Sequence, residues 1–258
     1  MHIDSSASCT TTTASAQTSL PSFRVKHVTD DQIYPPLTLS VYLEGPPEDT
    51  RGFSRWLGRA ACSRVYDVKL ADLVIFTGGS DVNPQLYGEE RMPGTYIDED
   101  RDAACIALYE TCLKDGIPML GICRGAQFLW VMKGGKLWQD VDKHNSGSHT
   151  ATLLETNQSL TISSVHHQAC RFGQVSGMKL LMSSATSQRR EAVEVTQTGC
   201  MTDVEAFTFK DDAILGIQGH PEYDGFPAYS KLCVDLIDKH ICMSTKTRMV
   251  GGLYRVVD

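Results

Sequence analysis

The sequence predicts an α/β protein in three layers, with a mostly parallel central sheet between two layers of helices. Apolar runs rich in β-forming residues alternate with amphipathic helical patterns through the first half of the chain. Three chemically distinctive segments, Gly78-Gly79, Cys123 and His220, each follow a predicted strand. Because sites form beyond the carboxyl ends of parallel strands, the sequence predicts that these segments share one site.

The composition is that of a globular protein, with 258 residues, 41% of them hydrophobic and 21% charged. A net charge of −7 without a basic stripe disfavours a nucleic-acid partner. No apolar run reaches the roughly 18 residues that a membrane span needs, so no membrane association is expected. The nine cysteines are scattered and form no Cys-x-x-Cys pair. This pattern favours a reducing compartment, and we expect a cytoplasmic protein.

Residues 1–36 are expected to form a flexible, low-complexity tail, because Ser, Thr and Ala dominate 4–22 and cannot bury enough apolar surface to order it. A transit peptide would be richer in arginine, and a vector-derived or misassigned start is an alternative. The sequence shows no internal repeat and no later boundary, so 37–258 is predicted to be a single catalytic domain.

The period of the apolar residues predicts the elements in order. Strands are predicted at 37–43, 71–76, 118–122, 160–165, 178–184, 191–196, 204–209, 213–218 and 253–257. Helices are predicted at 53–62, 98–114 and 227–241, and directly after Cys123. Gly116 and Gly134 end two of these helices. The charged residues at the start of the helix over 98–114 are interpreted as solvent-exposed.

The segment 145–149 is interpreted as a loop, and His144 and His149 as loop residues without a metal-ligand pattern. The eight histidines do not form the His-x-x-x-His spacing of a zinc hydrolase. We therefore expect no metal and no cofactor.

Gly121-Ile-Cys123-Arg-Gly125 predicts a sharp turn from a strand into a helix, with Cys123 at its tip. The glycines allow a strained turn without a Cβ clash, and the helix N-terminus favours a reactive thiolate. For this motif alone, an inert buried cysteine is an equally good interpretation.

A cysteine nucleophile needs a base, and His220 follows an apolar strand with Glu222 two residues on. The Glu222 carboxylate could orient the imidazole, although an arbitrary His-Pro-Glu is more often a polar turn. The backbone N–H groups of Gly79 and Arg124 are the natural donors for an oxyanion. Cys123, His220 and Glu222 are therefore candidates for a triad, and a polar turn at 220–222 stays open as the alternative.

Gly121-Ile-Cys-Arg-Gly-Ala-Gln127, Gly78-Gly79 and Ile217-Gln-Gly-His-Pro-Glu222 together resemble the class I glutamine amidotransferase-like superfamily, which implies a flavodoxin-like fold. Further segments resemble the γ-glutamyl-γ-aminobutyrate hydrolase group, peptidase family C26, and these lie at 78–89, 98–102, 134–140 and 165–168. The resemblance covers roughly residues 37–240 in order and spacing. It departs from the family at Gly219, where tryptophan is usual, and at Trp130, where asparagine is frequent.

The resemblance implies that Cys123 attacks the γ-carbonyl of glutamine or of a small γ-glutamyl amide, and that water cleaves the resulting thioester. It also implies that Gly78, Gln127, His167 and Gln168 line the substrate pocket. His166 and His167 could instead be packed histidines at a strand end.

Three functions remain open from the sequence: a stand-alone γ-glutamyl amide hydrolase, a glutaminase that passes ammonia to a separate synthetase or ligase, and a catalytically silent binding module. Self-association into a homodimer is a further open question.

Overall fold

The structure, a computed structural model, describes residues 36–173, 175–187, 189–191, 193–194 and 202–242. Its strands are β1 (Ser40–Glu44), β2 (Ser63–Val65), β3 (Leu73–Phe76), β4 (Met119–Ile122), β5 (Leu137–Trp138), β6 (Gly147–Leu153), β7 (Gln158–Ser164), β8 (Ala169–Cys170), β9 (Lys179–Ser184), β10 (Arg189–Arg190), β11 (Val193–Glu194), β12 (Asp203–Phe209) and β13 (Ile214–Ile217). Its α-helices are α1 (Pro47–Thr50), α2 (Phe53–Arg59), α3 (Glu99–Asp115), α4 (Arg124–Met132) and α5 (Pro227–Ile237). A π-helical segment, Asp238–Cys242, continues α5.

The central sheet has nine strands in the order β2-β1-β3-β4-β13-β12-β9-β6-β7. The strands from β2 to β13 in this order pair in parallel. The strands from β12 to β7 extend the sheet in antiparallel fashion. The predicted α/β class is confirmed, and the antiparallel extension is a feature that the sequence pattern did not predict.

Both faces of the parallel part carry a hydrophobic core, which explains why its strands are continuously apolar. In β3, Leu73 and Ile75 share one core with α2 and α5. Val74 and Phe76 share the opposite core with α3 and α4. The helices therefore cover the sheet on both sides, as the predicted three-layer architecture requires. Within the part of the chain described here, no helix is both long enough and apolar enough to cross a membrane.

Two predicted elements differ from the structure. The predicted loop at 145–149 is wrong, since β6 begins at Gly147 and pairs with both β7 and β9. The first residues of β6 are polar and largely exposed, which hides the strand in the sequence pattern. The predicted strand over 191–196 is reduced to β11, paired with β10. Residues 195–196 and the strand predicted at 253–257 lie outside the described residues.

The charged start of α3 is not simply solvated, as its sequence suggested. Asp98 caps the helix by accepting a hydrogen bond from the backbone N–H of Arg101 at 3.0 Å. Two charged residues in the first turn of α3, Arg101 and Asp102, are only 9% and 4% exposed. Each binds a partner of opposite charge from a distant segment, so tertiary contacts rather than water stabilise these charges.

Candidate active site

Cys123 lies between the end of β4 and the start of α4, with φ 52° and ψ −109°. This backbone conformation is strained for a residue with a side chain and costs roughly 1–3 kcal/mol. Two backbone hydrogen bonds hold it: the Cys123 N–H donates to Ile217 O at 2.8 Å, and Cys123 O accepts from the Gln127 N–H at 3.1 Å. These hydrogen bonds therefore hold the strained residue in place, with its thiol at the carboxyl edge of the sheet and at the N-terminus of α4.

The glycines on either side of Cys123 allow close packing. A Cβ at Gly121 would lie 2.4 Å from the Gly125 carbonyl oxygen, and one at Gly125 would lie 2.0 Å from the Phe76 carbonyl oxygen. The positive φ belongs to Cys123 itself. The two glycines are thus required because the first turn of α4 rests directly on the backbones of β3 and β4.

His220 follows β13 and is held by its ring and by its backbone. Its Nδ1 lies 2.7 Å from Glu222 Oε1, and both side chains are under 10% exposed. Its N–H donates to Ser163 Oγ at 2.7 Å, while its ring stacks on Tyr223 with centroids 4.4 Å apart. The imidazole therefore has one defined orientation.

The same ring lies beside the Cys123 side chain, since both line one cavity and both lie close to Gly78. Burial acts to lower the pKa of His220, but the Cys123 sulfur and the Glu222 carboxylate outweigh it and raise the pKa to about 11. A Cβ at Gly78 would lie 2.7 Å from His220 Cε1 and 3.8 Å from Cys123 Cβ, so Gly78 packs against both groups. The structure thus brings together the thiol, the imidazole and the carboxylate that the sequence singled out.

Two cavities meet at Cys123. One, of about 290 Å³, contains the His220 ring, and we call it the His220 cavity. The other, of about 200 Å³, contains Gln127, and we call it the Gln127 cavity. Both are lined by Gly79, Cys123 and Val165. The thiol is therefore reached from two sides, which suits a substrate that extends on both sides of a scissile bond.

Gly79 and Arg124, the expected oxyanion donors, adjoin Cys123 from different elements. The Arg124 side chain points away, forming an ion pair with Asp102 and donating to Cys105 Sγ at 3.1 Å. Its backbone N–H stands at the first position of α4, where a helix offers no internal acceptor. Gly79 has φ 138°, and a Cβ there would lie 1.9 Å from Arg101 Nη1, so no other residue fits.

The residues expected to bind substrate all adjoin a cavity, but they differ in how many of their hydrogen-bonding groups are already engaged within the protein. Gln127 Nε2 already donates to Gln168 O at 2.9 Å and lies 3.3 Å from Gln218 Oε1. His167 Nε2 lies 3.1 Å from both carboxylate oxygens of Asp81, and this hydrogen bond raises the pKa of His167 despite its burial. The Gln168 side-chain amide is buried and has no hydrogen-bond partner among the described residues. The Gln168 side-chain amide therefore has more capacity for a ligand than the Gln127 amide nitrogen.

The two interpretations of the histidines at 166 and 167 apply to different residues. His166 is 6% exposed, with Nδ1 2.8 Å from Gln168 O, so it is a packed histidine whose edge reaches the Gln127 cavity. The His167 side chain is 36% exposed and faces the same cavity.

Sequence reasoning missed three residues of the site. Gln218 Nε2 lies 3.7 Å from Cys123 Sγ, although Gln218 stands within the motif that identified His220. Asp49 lines the His220 cavity and Asp81 pairs with His167. The two aspartates lie in turn-rich segments where aspartate is ordinary, so only tertiary proximity reveals them.

A second polar cluster lies behind the Gln127 cavity. His149 Nε2 lies 2.7 Å from Glu205 Oε1, and the His144 ring centroid lies 4.6 Å and 4.7 Å from those of His149 and His166. The interpretation of His149 as a loop residue is therefore wrong, since it lies in β6, whereas His144 does lie in the loop before that strand. His144, His149 and Glu205 offer ligand atoms within 4.8 Å of one another, so these residues could hold a metal ion. The ion pair already satisfies His149 Nε2 and one oxygen of Glu205.

The two departures from the family pattern have clear packing consequences. A Cβ at Gly219 would lie 2.6 Å from the Tyr229 hydroxyl and 2.8 Å from Ser163 O, so this backbone has no room for a tryptophan. Trp130 is fully buried, donates from Nε1 to Lys136 O at 3.1 Å and packs on Phe207. It stabilises the core under α4 and does not line either cavity at Cys123.

Comparison with known proteins agrees with this geometry. Residues 63–222, more than half of the chain, match the family model of peptidase C26. The chain belongs to the peptidase C26 family. It is 32% identical over 165 residues to the glutamine amidotransferase-like protein YvdE of Lactococcus lactis, covering 59% of this chain and 66% of that protein. It is 30% identical over 173 residues to protein NtpR of Enterococcus hirae, covering 58% and 66% respectively.

Among solved structures, one similar fold is that of a Thermoplasma acidophilum protein provisionally named as a GMP synthase component. Its TM-score is 0.54 at 19% identity, covering 83% of this chain and 98% of that one. The matched segments span between 50% and 66% of the length of the first three curated relatives. These likenesses establish the peptidase C26 family and a class I glutamine amidotransferase-like fold.

Proposed function

We propose that this chain is a cysteine-dependent hydrolase that cleaves the γ-glutamyl amide bond of a small γ-glutamyl compound. The observation that carries the proposal is the position of the His220 ring, which lines the same cavity as Cys123 and lies 2.7 Å from Glu222 Oε1. A base must lie within hydrogen-bond reach of the nucleophile, and a third group must orient the base. The C26 family supports the reaction class.

In the proposed reaction, the Cys123 thiolate attacks the γ-carbonyl carbon and a carbon–sulfur bond forms. The carbonyl oxygen becomes an oxyanion, which the backbone N–H groups of Gly79 and Arg124 would stabilise. The carbon–nitrogen bond then breaks while protonated His220 gives its proton to the leaving nitrogen. Water, deprotonated by His220, cleaves the γ-glutamyl thioester and restores the thiol. Glu222 keeps the imidazole oriented and stabilises its cationic form.

A second candidate is a glutaminase that releases ammonia from glutamine for a separate synthetase or ligase. It is favoured by the relative named as glutamine amidotransferase-like. The chemistry at Cys123 is the same in both candidates. Turnover of γ-glutamyl amides by the purified chain alone supports the hydrolase, whereas turnover that needs a partner supports the glutaminase.

The function is tested by comparing wild type with Cys123→Ala on a panel of γ-glutamyl amides and on glutamine, by quantifying released glutamate. We expect Cys123→Ala to lower kcat/KM at least about a thousandfold, because it removes the nucleophile. Cys112→Ala is the matched control, since Cys112 is also fully buried but packs in α3 away from both cavities. Activity of Cys123→Ala equal to that of the control would refute the mechanism.

A further inference from the structure

The two cavities beside Cys123 differ in their access to the proton donor. The His220 ring lines the His220 cavity and does not line the Gln127 cavity. In the proposed function, on which this inference rests, His220 must protonate the leaving nitrogen while the carbon–nitrogen bond breaks. The leaving amine therefore departs through the His220 cavity, and the γ-glutamyl group occupies the Gln127 cavity.

The wall of the His220 cavity is acidic. Its acidic lining residues are Glu48, Asp49 and Glu222. His220, which is paired with Glu222, is its one basic lining residue within the described chain, since neither lysine nor arginine lines it there. Glu222 is engaged with His220 through Oε1, while its Oε2 is buried and has no hydrogen-bond partner among the described residues. Glu48 is exposed and forms no ion pair within the described part of the chain.

The buried guanidinium of Arg101 does not neutralise this wall. Arg101 Nη1 lies 2.9 Å from Asp49 Oδ2, and Arg101 Nε lies 3.3 Å from Glu44 Oε1. One guanidinium is thus shared by two carboxylates, which leaves the group of three with an excess negative charge. Asp49 lines the cavity and Arg101 does not, so a ligand meets the carboxylate and not the cation.

We propose that the His220 cavity selects leaving amines that carry a second, positively charged group, such as alkyl diamines, over amines that carry a carboxylate. A distal ammonium would lie among the carboxylates of Glu48 and Asp49, with the face of Tyr223 beside it. A distal carboxylate, as in γ-aminobutyrate, would meet like charge in the same place. The reaction is otherwise unchanged: the proton from His220 goes to the leaving nitrogen, and the distal ammonium keeps its own protons.

The test uses three γ-glutamyl amides with four-carbon amines that differ mainly in distal charge: those of 1,4-diaminobutane, n-butylamine and 4-aminobutyrate. We expect kcat/KM of the full chain to fall in that order, by about tenfold between the first and the last. The ratio should shrink at high salt, since the cavity is open to solvent and its charges are screened.

Two variants connect the preference to this wall. Glu48→Gln and Asp49→Asn should each reduce the ratio between the diamine and aminobutyrate amides several-fold, and Asp49→Asn the more because it uncovers Arg101. Glu110→Gln makes the same charge change on the exposed face of α3 and should leave the ratio as in wild type.

The outcomes separate the two proposals. Turnover of all three amides at equal rates, a preference for aminobutyrate, or a diamine preference untouched by Glu48→Gln and Asp49→Asn would overturn the assignment of this cavity alone. Absence of turnover with every amide and with glutamine would overturn the proposed function, and this inference with it.

Discussion

The molecule contains two histidine–carboxylate pairs with the same contact distance and opposite surroundings. His220 Nδ1 and Glu222 Oε1 are 2.7 Å apart beside the cavity at Cys123. His149 Nε2 and Glu205 Oε1 are also 2.7 Å apart, but other histidines enclose them on the far side of the Gln127 cavity. The comparison shows that a short imidazole–carboxylate contact does not by itself identify a catalytic pair.

The difference lies in what else each pair contacts. The His220 ring also lies beside the Cys123 sulfur. Burial acts to lower the pKa of His220, but that sulfur and the Glu222 carboxylate together raise it. Glu205 is surrounded by three imidazoles, which lower its pKa although burial acts to raise it. One pair can exchange a proton with a nucleophile, whereas the other fixes the position of β12 against β6. We therefore expect the first pair to control activity and the second to control stability.

The largest expected effect concerns the first pair. His220→Asn should lower kcat/KM about a thousandfold, because it removes the general base and acid. Glu222→Gln should cause a loss about ten times smaller, because it perturbs the orientation and charge of the imidazole but leaves it in place. Steady-state kinetics on the preferred γ-glutamyl amide measure both.

His240→Asn is the control for this pair, since His240 lines neither cavity at Cys123. Equal losses from His220→Asn and Glu222→Gln would contradict the separate roles assigned to the two side chains.

The next effect concerns the enclosed pair. Glu205→Gln should lower the free energy of unfolding by about 3 kcal/mol, because it removes the charge that three buried imidazoles face. Glu222→Gln should cost less stability, since Glu222 adjoins a cavity. Urea denaturation measures both, with the exposed Glu110→Gln expected to change stability by under about 0.5 kcal/mol. A larger stability loss for Glu222→Gln would reverse the comparison.

The last effect is a gradual pH dependence of the free energy of unfolding. Burial, reinforced by His144, lowers the pKa of His166 to about 4, so the unfolded chain binds a proton that the folded chain does not. Stability is complete above pH 6.5 and falls as the pH drops toward 4, by at most about 1.4 kcal/mol per pH unit from this group. His166→Asn should make the slope of the unfolding free energy between pH 6.5 and 5 shallower. An unchanged slope would mean that His166 does not contribute to it.

The sequence by itself determined the order of most strands and helices along the chain and the location of the candidate nucleophile. Continuous apolar runs bounded by turn residues, such as β3, are typical of strands buried on both faces, and they predicted the layered architecture. Gly121, Cys123 and Gly125 marked a strand-to-helix turn because local backbone geometry restricts the residues there. Local constraints of this kind depend only on residues that are neighbours in the sequence, which is why they could be predicted.

Only the tertiary structure decided which distant side chains share a space. His149 and Glu205 are 56 residues apart in the sequence, and Asp49 and Arg101 are 52 apart. Neither contact leaves a pattern in the local sequence. A polar residue in a turn, a loop or the polar start of a strand has the same sequence neighbours whether its side chain is exposed or buried. The charges of the two cavities, and so the choice between amines, depend on such contacts: burial and pairing of charge are properties of the assembled fold.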